Sequence, residues 1–147
     1  LWPAAGCGMT FTPFNVHDLN AKDPFCRLLG ITHVESGDGF AIFEVTLGPD
    51  HINFLGGCHG GVIFALADSA FGSACNATGN VSVGIDTHMA FIKGAREGDV
   101  LRAEARRVSG SSKTEVYRAD VTRGDEALAT FTGTVFKTGK HVGDFLD

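Results

Sequence analysis

Hydrophobic positions along this chain fall into one unbroken block and a set of alternating stretches. The block runs from about Gly60 to Cys75, holds no proline, and includes Ala65, Leu66, Ala67, Ala70 and Ala74. It is apolar on every side, which predicts a buried helix. Earlier in the chain, Asp23-Pro24 followed by Phe25, Cys26, Leu28, Leu29 and Gly30 carries an N-cap, a first-position proline and a closing glycine, so it predicts a short helix. Ile31 to Glu35 reads as the entry to a sheet, Ser36 to Gly39 as a turn, and Phe40 to Leu47 as a strand. In that strand Ala41, Phe43, Val45 and Leu47 share one side, with Glu44 and Thr46 on the other. After the block, Val81 to Lys93, Val100 to Val108, Lys113 to Thr122 and Glu126 to Lys137 are strand-like, with turns at Ser109 to Ser112 and Arg123 to Asp125. Val81, Val83, Ile85, Thr87, Met89 and Phe91 would line one face of the first of these, with Asp86 and His88 on the other. One long helix with about five to six strands, most of them after it, gives an α+β fold.

The ends are less patterned. Residues 1–12 open on Leu-Trp-Pro, reach their first methionine at Met9, and read as a leader or tag. Residues 13–140 read as the domain, with a weak first turn or short helix at Phe14 to Ala21, and 141–147 as a tail. At 147 residues the chain is long enough for one domain with a sizeable core. Its net charge of −5, with no compensating basic stripe, argues against a nucleic-acid partner. No apolar segment approaches the roughly 20 residues that span a bilayer, and the N-terminus lacks the order of a secretion signal, so no membrane partner and a cytoplasmic protein are expected. Cys7, Cys26, Cys58 and Cys75 lack the spacing of zinc or redox pairs and read as free thiols. No nucleotide-binding glycine motif or serine-hydrolase elbow is present, and no cofactor is expected. Cys58-His59 beside His51 is not read as a metal site, because adjacent residues rarely turn both side chains to one ion.

The chemistry concentrates in and before the apolar block. Asp68 is its one ionisable residue and, at 100° per residue, shares a face with Phe64, Phe71 and Cys75. Burying an unpaired carboxylate is costly, so such a residue is neutralised, paired or used; satisfaction by a hydroxyl or a backbone amide is the plainer alternative. Gly60-Gly61 at the block's start would let another molecule's carbonyl approach first-turn N–H groups that have no intrahelical partner, an arrangement that can hold an oxyanion. An ordinary glycine-rich loop is the alternative. Gly60 and Asp68 are eight residues apart, about 12 Å along one helix, so both cannot touch one carbonyl. A site using both needs two copies of the helix, antiparallel in a twofold dimer.

The run His51, Asn53, Cys58-His59-Gly60-Gly61, Ala65 to Phe71 and Ala74-Cys75-Asn76, together with Asp86 to Asp99, closely resembles the phenylacetyl-CoA thioesterase family of hotdog-fold proteins. The resemblance covers roughly residues 20 to 140. It implies an antiparallel sheet curled around the long helix, and a homodimer with shared active sites that pairs again into a tetramer. By the same resemblance the Gly60 amide polarises the thioester carbonyl of an acyl-CoA. Asp68 of the other subunit serves as nucleophile or general base, and His59 and Asn53 place thioester and water. His51 and Gly61 join the substrate site on that reading, and Phe54, Phe64 and Phe71, as apolar residues near Asp68, suit an aromatic acyl group such as phenylacetyl or hydroxyphenylacetyl, with ordinary core packing as the alternative. Lys93 and Arg96 are candidate contacts to the CoA phosphates, with a solvated loop as the alternative. Arg102, Arg106 and Arg107 on the next strand would meet acidic residues or the nucleotide. Two rivals stand beside hydrolysis: a hotdog hydratase or dehydratase, and a non-catalytic acyl-CoA sensor.

Overall fold

The computed structural model describes residues 21–145. The leader reading, Cys7 and nearly all of Phe14 to Ala21 lie outside them. The first described helix, α1, spans Pro24–Leu29: Asp23 Oδ1 accepts from the Phe25 and Cys26 N–H groups at 2.9 and 3.0 Å, and Gly30 closes it in the left-handed region at φ 70°. A side chain there would be strained, which is why glycine ends the helix. Strands β1 (Thr32–Gly37) and β2 (Phe40–Thr46) form a hairpin, and a 3-10 turn at Pro49–His51 leads through a loop into α2 (Gly60–Asn76). Then come β3 (Asn80–Phe91), β4 (Val100–Gly110), β5 (Thr114–Arg123), β6 (Glu126–His141) and a second 3-10 turn at Val142–Phe145. Sheet order is β1-β2-β4-β5-β6-β3, antiparallel throughout.

α2 lies against the inner face of this sheet, packing mainly on β2, β4, β3 and β5. Leu66, Ala67 and Ala70 are fully buried against a layer that includes Phe43, Leu101, Ala103, Ala105 and Ala119. Alanines on both sides let helix and sheet approach closely at interior density. Phe71 fills the wider gap at the other end of the sheet, its ring 5.2 Å from Phe131 and 5.8 Å from Tyr117. Gly133 makes that possible, since a Cβ there would lie 2.6 Å from Phe71 Cζ. Gly133→Ala is expected to lower unfolding free energy by about 1–3 kcal/mol in urea titration, the usual cost of overpacking. Unchanged stability would mean that the Phe71 ring is free to turn away.

Three expectations change. The helix is not buried all round: Gly61 and Asp68 are exposed, and Phe64, Ser69, Gly72 and Ser73 are half-buried along the same open side. The sheet covers one flank of α2 only. The predicted face of β3 also breaks. Register irregularities between Asn80 and Ser82 and between Gly84 and Asp86 shift the alternation, so Ser82 is buried while Val83 pairs with Phe136 on the outer face and Ile85 sits in the bulge. Thr87, Met89 and Phe91 keep the inner register, opposite Gly133, Phe131 and Ala129. Finally, β4 extends through Ser109-Gly110, and β6 continues through Thr138 to His141 where no pattern was apparent.

Candidate active site

The loop before α2 is tied down at each step. His51 is nearly buried, its Nδ1 accepting from Gly48 N–H at 3.0 Å and its carbonyl from His59 N–H at 2.8 Å. Cys58 N–H donates to Ala95 O at 2.7 Å, which pins the loop to the β3–β4 connection. Asn53 Oδ1 accepts from Leu55 and Gly57 N–H, at 2.9 and 3.2 Å. The tip so formed holds Phe54 at 96 % exposure. Asn53 and His51 therefore brace the loop through the atoms named.

His59 caps α2: its backbone is extended, and Nδ1 accepts the Gly61 N–H at 2.9 Å. Val62 N–H bonds His59 O at 2.9 Å. The Gly60 N–H has no partner among the described residues. A Cβ on Gly60 would lie 3.3 Å from the Phe91 ring, so glycine here lets the end of β3 close over the helix entrance. The result is one unpaired donor at the positive end of a seventeen-residue helix.

Two turns on, Asp68 has no hydrogen-bond or ion-pair partner among the described residues. Although Asp68 is exposed on the open side of α2, partial desolvation by the groups around it, with no compensating cation among the described residues, pushes its carboxyl above the usual range. It faces a chamber of about 420 Å³ together with Asp23, Phe25, Ser73, Val142 and Phe145. Burial also pushes the Cys58 thiol up to about 11, with the Asp99 charge adding to it, so beside His59 it is a thiol at neutral pH and no ready nucleophile.

The other expected residues separate. Phe64 packs edge-on against Phe131 at 5.6 Å, Phe71 is a core residue, and neither lines the chamber. Of the two readings of Phe71, its burial fits the core one, since the space left by Gly133 draws the ring into the sheet. Lys93 pairs with Glu126 at 3.0 Å, and Arg123 with Asp99 at 2.7 Å, whereas the exposed Arg96 guanidinium has no hydrogen-bond partner among the described residues. Arg102 pairs with Glu44, Arg106 with Glu104, and Arg107 with Asp38, so these three meet acids. The reading from sequence missed Phe25, Ser73, Val142 and Phe145. Gly72, which also lines the chamber, was the residue within reach, four positions and so about one helical turn after Asp68.

A single long helix in the curl of a six-stranded antiparallel sheet, entered through paired glycines and carrying a lone carboxylate two turns on, is the hotdog arrangement. The Thioesterase superfamily model matches residues 55–130, and the chain belongs to that family. The acyl-coenzyme A thioesterase PaaI of Escherichia coli is 32 % identical over 126 residues, 85 % of this chain and 90 % of that one. The structure of the E. coli PaaI protein from the phenylacetic acid degradation operon superposes with a TM-score of 0.83 at 30 % identity, covering 86 % of this chain and 93 % of that one. A mutant of the phenylacetic acid degradation protein PaaI from Thermus thermophilus is 36 % identical with a TM-score of 0.76, covering 78 % and 99 %. The chain is a hotdog-fold enzyme of the thioesterase superfamily. Among its described residues no helix is long and apolar enough to cross a membrane.

Proposed function

We propose that the chain is an acyl-CoA thioesterase that hydrolyses aryl-acyl-CoA thioesters such as phenylacetyl-CoA or hydroxyphenylacetyl-CoA, and that two copies assemble each site. The observation that carries this is the pair of unpartnered groups on one helix, the Gly60 N–H and the Asp68 carboxylate. They are too far apart along α2 to serve one carbonyl, and an antiparallel second helix would bring each to the other's partner. The outer edge of β3 supports such a dimer. Among the described residues it is an open edge twelve residues long, with Val83 at 46 % and Ile85 at 59 % exposure. Edges of that kind are normally covered.

In the shared site the Gly60 N–H stabilises the oxyanion as the thioester carbonyl is attacked. Asp68 of the other subunit either takes a proton from the attacking water or attacks the carbonyl itself, giving an anhydride that water then opens. In either route the carbon–sulfur bond breaks and CoA leaves as thiolate, to be protonated. His59 and Asn53 hold the entrance in place, and Arg96, whose guanidinium has no hydrogen-bond partner among the described residues, is a cation placed to meet a CoA phosphate.

Free-thiol release from a panel of aryl and fatty acyl-CoAs, with sedimentation analysis of the same sample, tests the reading. Hydrolysis of phenylacetyl-CoA or its hydroxylated relatives by a dimer or tetramer is expected. A fully active monomer would end the shared site. Acyl-CoA binding without thiol release would end the enzymatic reading.

A further inference from the structure

The chamber beside Asp68 has a construction of its own. Its floor is the second half of α2, including Ser73, and its walls come from segments far apart in the chain. Asp23 and Phe25 enter from α1, and Val142 and Phe145 from the final 3-10 turn. Both walls are anchored. Asp23 is held by the two N–H groups it caps, and Val142 N–H donates to Gly79 O, at the turn between α2 and β3, at 2.7 Å. The chamber thus combines apolar surface with two carboxylates, Asp23 and Asp68. None of its lining side chains among the described residues is cationic. Lys140, whose Nζ lies 6.0 Å from the Phe145 ring centroid, touches the wall without lining the chamber.

We infer that this chamber receives the acyl group, that Phe25, Val142 and Phe145 set the size it accepts, and that the two carboxylates restrict it to acyl groups without a charged end. The inference rests on the thioesterase reading above and adds the acyl class. With the thioester carbonyl at Asp68, the acyl chain extends over the helix floor toward the C-terminal turn. A neutral chain or ring meets phenylalanine and valine there. A terminal carboxylate would lie beside two like charges, with no cationic side chain lining the chamber among the described residues, which is unfavourable even where solvent reaches the walls.

The test is a matched pair, hexanoyl-CoA and adipoyl-CoA, which share a six-carbon backbone and differ in a terminal methyl or carboxylate. Thiol release is expected to give kcat/KM at least about 30-fold higher for hexanoyl-CoA. Asp23→Asn keeps an N-cap acceptor and removes one charge, and is expected to narrow that ratio by at least about threefold. Phe145→Ala is expected to raise the decanoyl-to-hexanoyl ratio of kcat/KM by at least about threefold. Because Phe145 stands on an exposed turn, this variant keeps the test decisive should Asp23→Asn not fold. Hydrolysis with equal kcat/KM for the matched pair, or acyl preferences that neither variant moves, would overturn the chamber while leaving the thioesterase standing. No hydrolysis of any acyl-CoA would overturn both.

Discussion

Asp68→Asn is expected to abolish thioester hydrolysis, lowering kcat by at least about 10³-fold, because an amide neither attacks a carbonyl nor accepts water's proton. The same change should leave folding unharmed. Partial desolvation alone raises the Asp68 carboxyl above its usual range, an effect that solvent moderates at this exposed position. A carboxyl whose pKa is raised on folding binds protons more readily in the native state, so its charge costs stability as pH rises through that range. Asn carries no such charge, and thermal unfolding at neutral pH should give an equal or higher Tm. Loss of activity at undiminished Tm is the mark of a group kept for chemistry at some cost to stability. The raised pKa also places the acid limb of kcat/KM in the wild type above the ordinary carboxylate value of 3.8. A variant that kept its turnover would remove Asp68 from the reaction.

Gly60→Pro should be nearly as damaging, for a different reason. Proline at the first helical position is well tolerated, and the preceding His59, at φ −64° and ψ 130°, already has the backbone that a following proline requires. The substitution therefore deletes one N–H with little cost to the helix. Gly60→Ala is the control: it brings a Cβ equally close to the Phe91 ring, 3.3 Å away, but keeps the donor. The proline variant is expected to fall about 10²–10³-fold below the alanine variant in kcat, the usual loss for one oxyanion donor. Equal rates for the two would place the oxyanion elsewhere. Mixing Gly60→Pro with Asp68→Asn should restore about a quarter of wild-type activity, since half the dimers would be mixed and each would hold one intact site. No recovery under conditions of subunit exchange would argue that both groups act within one chain.

What the sequence made legible, and what it hid, follows from where the information lies. The α2 block and the Asp23-to-Gly30 punctuation are local signals, and both helices stand where those signals put them. Alternation likewise located β2 and β4, whose inner residues Phe43, Val45, Leu101 and Ala103 are buried. β3 was misread because a bulge shifts the period by one residue, and alternation carries no mark of that shift. Asp68 was placed among buried groups because hydrophobicity around a helix does not say which flank its own sheet covers. Phe71 illustrates a different limit: a phenylalanine at helical spacing from a carboxylate suits a core and a binding site equally. What decided it was space left by a glycine on a distant strand. The chamber walls were hidden for the same reason, since Phe25 and Phe145 meet near Asp68 only through the fold.

The turn that carries Phe54 has a consequence for association. Asn53 Oδ1 takes two of its N–H groups, Asn53 N–H bonds Gly57 O at 2.7 Å, and Gly56 N–H bonds Asn53 O at 3.0 Å. Phe54 and Leu55 are displayed, at 96 % and 80 % exposure, on backbone that is already immobilised. Ordering a residue costs about 1–2 kcal/mol of conformational entropy, and here that loss falls on folding. A surface that docks on this tip therefore meets a preorganised shape, and gains the contact without the entropic penalty of freezing a loop.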